Sequence, residues 1–195
     1  MAGVQPRAAK ARHGKQAHGA IPGRRRREAV DTGPHCGENT GMTVSCHAER
    51  SLPCRPEVAF AMVTDADRFP GFFTGFGPIP AVRGVRLHAP MAVGSTRSVH
   101  NADGTVLRET ITAHDPPVNH AYVLDGFSPP FAWLVTRGEA NWTITGHEFG
   151  ARVSWDYQFT LTRRWLWPVA ALLLKLFMAK AMHRCLKNME RSLCT

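Results

Sequence analysis

Two ionisable residues of this chain sit where charge is expensive. Arg97 and Glu109 fall in phase with Val99, Leu107 and Ile111, on the apolar side of a pattern in which every second side chain shares a face. Between them, Asn101-Ala102-Asp103-Gly104 has the residue types of a tight turn, and a connection of that length sets the two opposite each other in a hairpin. A charge on an inward face is tolerated only when it is paired and hydrogen-bonded, so an Arg97–Glu109 bridge facing the interior is expected. It either ties the sheet together structurally, or it fixes or polarises the carbonyl or hydroxyl of a ligand. Tyr122, on a neighbouring strand, adds a phenol able to donate to a ligand oxygen. Trp142, Trp155 and Tyr157 on strands, with Met178 and Met182 on a helix face, offer an apolar lining. Methionine suits a wall that must adapt to ligand shape. These side chains either line a pocket or pack one another into a solid core.

Other chemistries find no support in the residue order. The ten histidines do not converge on an HExxH or a zinc-ligand spacing. There is no GxSxG elbow, no phosphate-binding loop and no GxGxxG. Cys46 and Cys54 lack CxxC spacing. No catalytic residue, metal or cofactor is therefore assigned.

The elements that must position these residues can be read from pattern. Thr43–Arg50, ending at Leu52-Pro53, reads as a first strand. Pro56 at a first helical position opens Glu57–Thr64 as a helix, and Arg68–Phe73 reads as a second short helical turn. Residues 71–80 form a loop unusually rich in Phe. Six strands follow, predicted at 81–88, 95–100, 105–114, 120–125, 132–145 and 152–162, with turns rich in Asp, Asn, Gly and Pro. In the last, Val153, Trp155, Tyr157, Phe159 and Leu161 share one face, opposite Arg152, Ser154, Asp156, Gln158 and Thr160. Residues 165–193 read as a long helix covering the sheet. Leu174, Met178, Ala181, Met182, Cys185, Leu186 and Met189 fall on one side of it and Lys180, His183, Arg184, Lys187 and Arg191 on the other. A span needs about 18 or more apolar residues, and Lys175 and Lys180 interrupt this run, so membrane insertion is not expected.

The chain has 195 residues and a net charge of +9, distributed unevenly. Residues 1–41 hold eight Lys/Arg against three Asp/Glu, and residues 163–195 seven against one, while the body between is slightly acidic. A basic groove across the fold is thus unsupported, and no nucleic-acid partner is expected. Residues 1–41 lack hydrophobic periodicity and include Arg24–Arg27. They read as a disordered basic extension, with the folded domain over residues 42–195. Five cysteines without a pairing rhythm point to a reducing, cytoplasmic setting.

The order strand, two short helices, six strands and long C-terminal helix resembles the START-like (SRPBCC) superfamily, in its polyketide cyclase/dehydrase and lipid-transport branch. The resemblance rests on Pro56-Glu57-Val58-Ala59-Phe60 through Asp65-Ala66-Asp67-Arg68-Phe69-Pro70, then Gly94-Ser95-Thr96-Arg97 and Asp103-Gly104-Thr105-Val106-Leu107-Arg108-Glu109. It continues through Asp115-Pro116-Pro117 with Tyr122, and ends at Gly150-Ala151-Arg152-Val153-Ser154-Trp155. Where members of the family often carry a Trp after the second helical turn, this chain has Pro70-Gly71-Phe72-Phe73. The resemblance implies an α+β helix-grip fold, a curved antiparallel sheet wrapped around the C-terminal helix with an apolar cavity between them. It implies binding or transport of a lipid-, polyketide- or isoprenoid-type molecule, with an aromatase/cyclase enzyme as the alternative. A third reading is a lipid exchanger touching membrane surfaces through Arg163, Arg164, Trp165 and Trp167.

Overall fold

A computed structural model describes residues 42–194; the expectation for residues 1–41 lies outside the described residues. Seven strands form one antiparallel sheet in the order β1-β7-β6-β5-β4-β3-β2. The strands are β1 (Thr43–Leu52), β2 (Val82–Leu87), β3 (Thr96–Asn101), β4 (Val106–Asp115), β5 (Asn119–Asp125), β6 (Val135–His147) and β7 (Gly150–Leu161). From β2 to β7 they follow one another as a meander. Only β1 departs from that order, pairing with β7 in the register Thr43↔Thr160 to Leu52↔Ala151. The alternation read in residues 152–162 is realised: Val153, Trp155, Tyr157, Phe159 and Leu161 are buried, and the intervening side chains are not.

Between β1 and β2 the chain makes α1 (Pro56–Thr64) and α2 (Phe69–Phe72). Pro56 opens α1, where the missing N–H costs no hydrogen bond. After α1, the Asp65 carboxylate accepts from the backbone N–H groups of Asp67 and Arg68 at 2.8 and 3.1 Å and so steers the chain into α2.

The C-terminal run is less uniform than its pattern suggests. A 3-10 turn at Arg164–Leu166 leads into α3 (Trp167–Leu173), then a π-helical turn at Leu174–Met178, then α4 (Ala179–Ser192). Leu174, Met178, Ala181, Met182, Cys185, Leu186 and Met189 all face the core, as their spacing predicts. By length and composition the stretch Arg164–Ser192 could cross a membrane. Lys175 and Lys180 thus do not disqualify it on that criterion, contrary to expectation. Its second half is nevertheless packed against the sheet, with Met182, Leu186 and Met189 fully buried.

A second difference concerns the start of β6. The apolar run from Ala132 was expected to be strand, yet Phe131–Trp133 form a 3-10 turn and β6 begins at Val135. The reason is pairing: Val135 is matched with Leu161, the last residue of β7, so the residues before it have no neighbouring strand. The turn is held instead by Thr162, whose N–H donates to the Leu134 carbonyl at 2.9 Å and whose hydroxyl donates to that of Ala132 at 3.2 Å.

Candidate functional site

The sheet and the C-terminal run do not close on each other completely. A cavity of about 320 Å³ lies between them, at the small end of the usual range for ligand pockets, roughly 300–1,000 Å³. Its walls are mainly apolar: Val99, Leu107, Leu124 and Phe159 from the sheet, Phe69 and Phe73 from the α2 region, and Leu174 with Met178 from the π turn. Pro78–Pro80, the Asn101–Thr105 turn and Phe127–Phe131 complete the lining. The Phe-rich loop noted in the sequence thus contributes directly to the cavity wall.

Arg97 and Glu109 are direct partners across β3 and β4. Both are buried, and the Arg97 Nε donates to Glu109 Oε2. Glu109 reaches the cavity wall, while Arg97 stands behind it with its guanidinium 5.2 Å from the centre of the Tyr122 ring. Burial pushes the Glu109 carboxyl above the ordinary glutamate value, and the Arg97 cation opposes that shift. Tyr122 and Tyr157 both line the cavity, their rings edge-to-face at 6.5 Å. Burial raises both phenols well above the usual tyrosine range, so both are neutral hydrogen-bond donors. Glu109, Tyr122 and Tyr157 therefore form a polar spot on a mainly apolar wall, apart from Asn101, Asp103, Thr105 and Ser128, which line it from in and beside the turns.

The remaining candidates divide. Trp155 and Met178 line the cavity. Trp142 stacks on Trp155 with ring centres 4.0 Å apart and, like Met182, is fully buried within the packed core, off the cavity wall. Sequence reasoning missed several residues that contribute: Leu124, Phe127, Phe131 and Leu134 all line the cavity. Leu124 could have been found from its alternation with Tyr122. Phe127 and Phe131 could not, because they lie in the irregular β5–β6 connection.

His120 was also missed. It is fully buried, with its ring 5.6 Å from that of Tyr122 and 5.5 Å from that of His114. Burial, reinforced by the nearby Arg97 cation and by His114, pulls its pKa down to about 3, so it is neutral at ordinary pH. Its Nε2 is buried without a hydrogen-bond partner among the described residues. Gly138 of β6 makes room beside the cavity: a Cβ there would stand 2.9 Å from Tyr157 Cε1 and 3.4 Å from Phe159 Cε1. Among the described residues no group of three or more His, Cys, Asp or Glu side chains is arranged to hold a metal.

With this architecture in hand, the likenesses to known proteins are informative. The ginseng major latex-like protein 151 of Panax ginseng superposes with a TM-score of 0.58 at 14% identity, covering 78% of this chain and 98% of that one. TTHA0849 from Thermus thermophilus gives 0.57 at 18% identity, with 75% and 94% covered. MLL2253 from Mesorhizobium loti gives 0.55 at 16% identity, with 75% and 97% covered. At such identities these likenesses establish the helix-grip fold and nothing finer. No curated protein sequence matches the chain significantly. Residues 43–193 match the family described as polyketide cyclase / dehydrase and lipid transport, over the same strands, helices and cavity-lining residues set out above, and the chain belongs to that family.

Proposed function

We propose that the protein binds a hydrophobic small molecule of lipid, polyketide or isoprenoid type in the cavity between the sheet and the C-terminal run. One observation carries this reading. The fold leaves about 320 Å³ open under a mainly apolar wall, and that wall bears the Glu109 carboxyl and the Tyr122 and Tyr157 phenols, with Asn101, Asp103, Thr105 and Ser128 contributed from in and beside the turns. Burying apolar ligand surface there is favourable at roughly 25 cal/mol per Å². The phenols then select a ligand that carries an oxygen able to accept a hydrogen bond. Arg97 acts indirectly, by holding Glu109 in place.

The test is native mass spectrometry of the full chain purified from cells, together with fluorescence titration of cis-parinaric acid. A co-purified apolar mass and saturable probe uptake, abolished by Leu124→Trp with the fold intact, are expected. An empty protein that takes up no probe removes the reading.

An enzymatic reading, cyclisation or dehydration of a polyketide-type chain, is favoured by one feature: a carboxyl with a raised pKa lying beside two neutral phenols in a cavity. Turnover of a polyketide analogue that disappears in Glu109→Gln supports it, and unchanged turnover in that variant removes it. The finer reading of the partner is contact with a membrane surface through Arg163, Arg164, Trp165 and Trp167. Its support is that all four side chains are exposed.

A further inference from the structure

We infer that α3 and the adjoining Phe131–Trp133 turn form a docking face for a bilayer bearing anionic lipid, through which the cavity exchanges its ligand; the exchange step rests on the cavity reading above. The apolar side chains of this region exceed what the core can use. Ala170, Ala171 and Leu174 are buried, and the small alanines let the helix approach the sheet closely. Yet Trp165, Val169, Leu172 and Leu176, spaced i, i+4, i+7 and i+11, point outward, with Trp165 73% and Leu172 67% exposed. A second apolar stripe on the solvent side is unusual for a helix of a monomeric soluble domain. Trp133, 67% exposed, lies on the neighbouring turn, which Thr162 ties to the chain leading into Trp165.

Charge decides what covers this stripe. Residues 157–189 contain no Asp or Glu. Arg163, Arg164 and Lys175 are exposed, and none of them joins an ion pair among the described residues. Tryptophan with flanking arginine and lysine is the composition favoured at the membrane–water interface. A second copy of the chain fits less well. In a twofold contact each patch faces itself, which would place the cationic border of one copy, Arg163, Arg164 and Lys175, on a patch that offers no carboxylate to pair with it. An anionic bilayer complements both the apolar stripe and its cationic border.

The face is also continuous with the cavity. Leu173, Leu174 and Met178 line the cavity from the same turns that expose Leu172 and Leu176, and Phe131 and Leu134 line it from the turn that exposes Trp133. The helix lies on the bilayer without crossing it, because the apolar face of α4 is consumed by the core.

The test is flotation of the full chain with vesicles of phosphatidylcholine, with or without an equal part of phosphatidylglycerol, at low and high salt. Binding to the anionic vesicles alone, released by salt, is expected. Arg163→Gln/Arg164→Gln should weaken it about thirtyfold, and Trp165→Ser/Leu172→Ser should abolish it, while both variants keep cis-parinaric acid uptake in solution. The basic segment Arg24–Arg27 is unchanged in every variant, so wild-type flotation of both variants would assign binding elsewhere and overturn the inference. Vesicle-bound protein that resists alkaline carbonate would overturn it in favour of a spanning helix. A wild-type dimer dispersed by Trp165→Ser, without vesicle binding, would overturn it in favour of self-association. Flotation without probe uptake would keep the docking face and remove the cavity reading and the exchange step, whereas probe uptake without flotation would keep the cavity reading and overturn both the docking face and the exchange step.

Discussion

Along α4, Met182, Leu186 and Met189 are fully buried, and the side facing water carries Lys180, His183, Arg184 and Lys187. A few residues earlier in the same helical run, Trp165, Val169 and Leu172 stand in solvent and the core behind them is partly hollow. The closed end is packed as a protein interior normally is, with Trp142 stacked on Trp155 and little room to relax. The open end has apolar wall without apolar filling. Stability therefore comes chiefly from the first region, and the second is available for a ligand. The π turn at Leu174–Met178 marks the boundary, consistent with the frequent occurrence of such turns at functional sites.

Substitutions that unbalance this contrast rank by where they fall. Trp142→Ala, at the closed end, should cost about 3–5 kcal/mol, read as a lowered urea midpoint at unchanged slope; a shift below about 1 kcal/mol would show that this end is not the solid one. Nearly as large is Glu109→Gln, which leaves the Arg97 cation buried without a counter-ion and should cost about 3–5 kcal/mol. The double variant Arg97→Met/Glu109→Leu should recover most of that stability. If it also keeps full uptake of cis-parinaric acid, the pair is structural and Glu109 plays no part in binding.

Acid sharpens the comparison in another way. His120 has a folded pKa of about 3 against 6.5 for the free side chain, so between these values the unfolded chain binds more protons. Its stabilising contribution is complete above pH 6.5 and is lost as pH falls towards 3, at up to about 1.4 kcal/mol per pH unit. Glu109, whose pKa is raised, works in the opposite sense above the ordinary glutamate value. Denaturation across that range should show the loss on acidification, and His120→Phe should flatten it; an unchanged slope would acquit His120.

Smaller effects lie at the open end. Gly138→Ala forces a methyl against the Tyr157 ring at 2.9 Å. It should cost roughly 1–3 kcal/mol and reduce probe capacity by pushing the ring into the cavity. Leu172→Ser, at a side chain 67% exposed, should change stability by no more than about 0.5 kcal/mol; a larger loss would mean that the exposed stripe contributes to the core after all.

Much of this architecture is legible from residue order. Pro56 announces α1, and the alternation of residues 152–162 places Trp155, Tyr157 and Phe159 inside. The turn at Asn101–Gly104 sets the register that puts Arg97 opposite Glu109. Illegible were the 3-10 turn at Phe131–Trp133, which has strand-like composition but no strand to pair with, and the π turn, since one extra residue per turn barely disturbs a spacing pattern. His120 shares the inward phase of Tyr122 and Leu124 in β5, and it escaped notice because a histidine's polarity does not mark it as a core residue.

Periodicity tells inside from outside, and for this chain that determined the strands, their faces, the buried ion pair and the amphipathic α4. It cannot tell how far apart two inward faces stand. Trp142 and Tyr157 are equally inward by pattern, yet one is packed solid and the other lines a void. That difference arises only when the sheet curves around the helix, with Gly138, Phe127 and the Phe131–Trp133 turn setting the gap. Such distances depend on residues remote in sequence, so only the tertiary structure decides which part of the core is filled and which is left open.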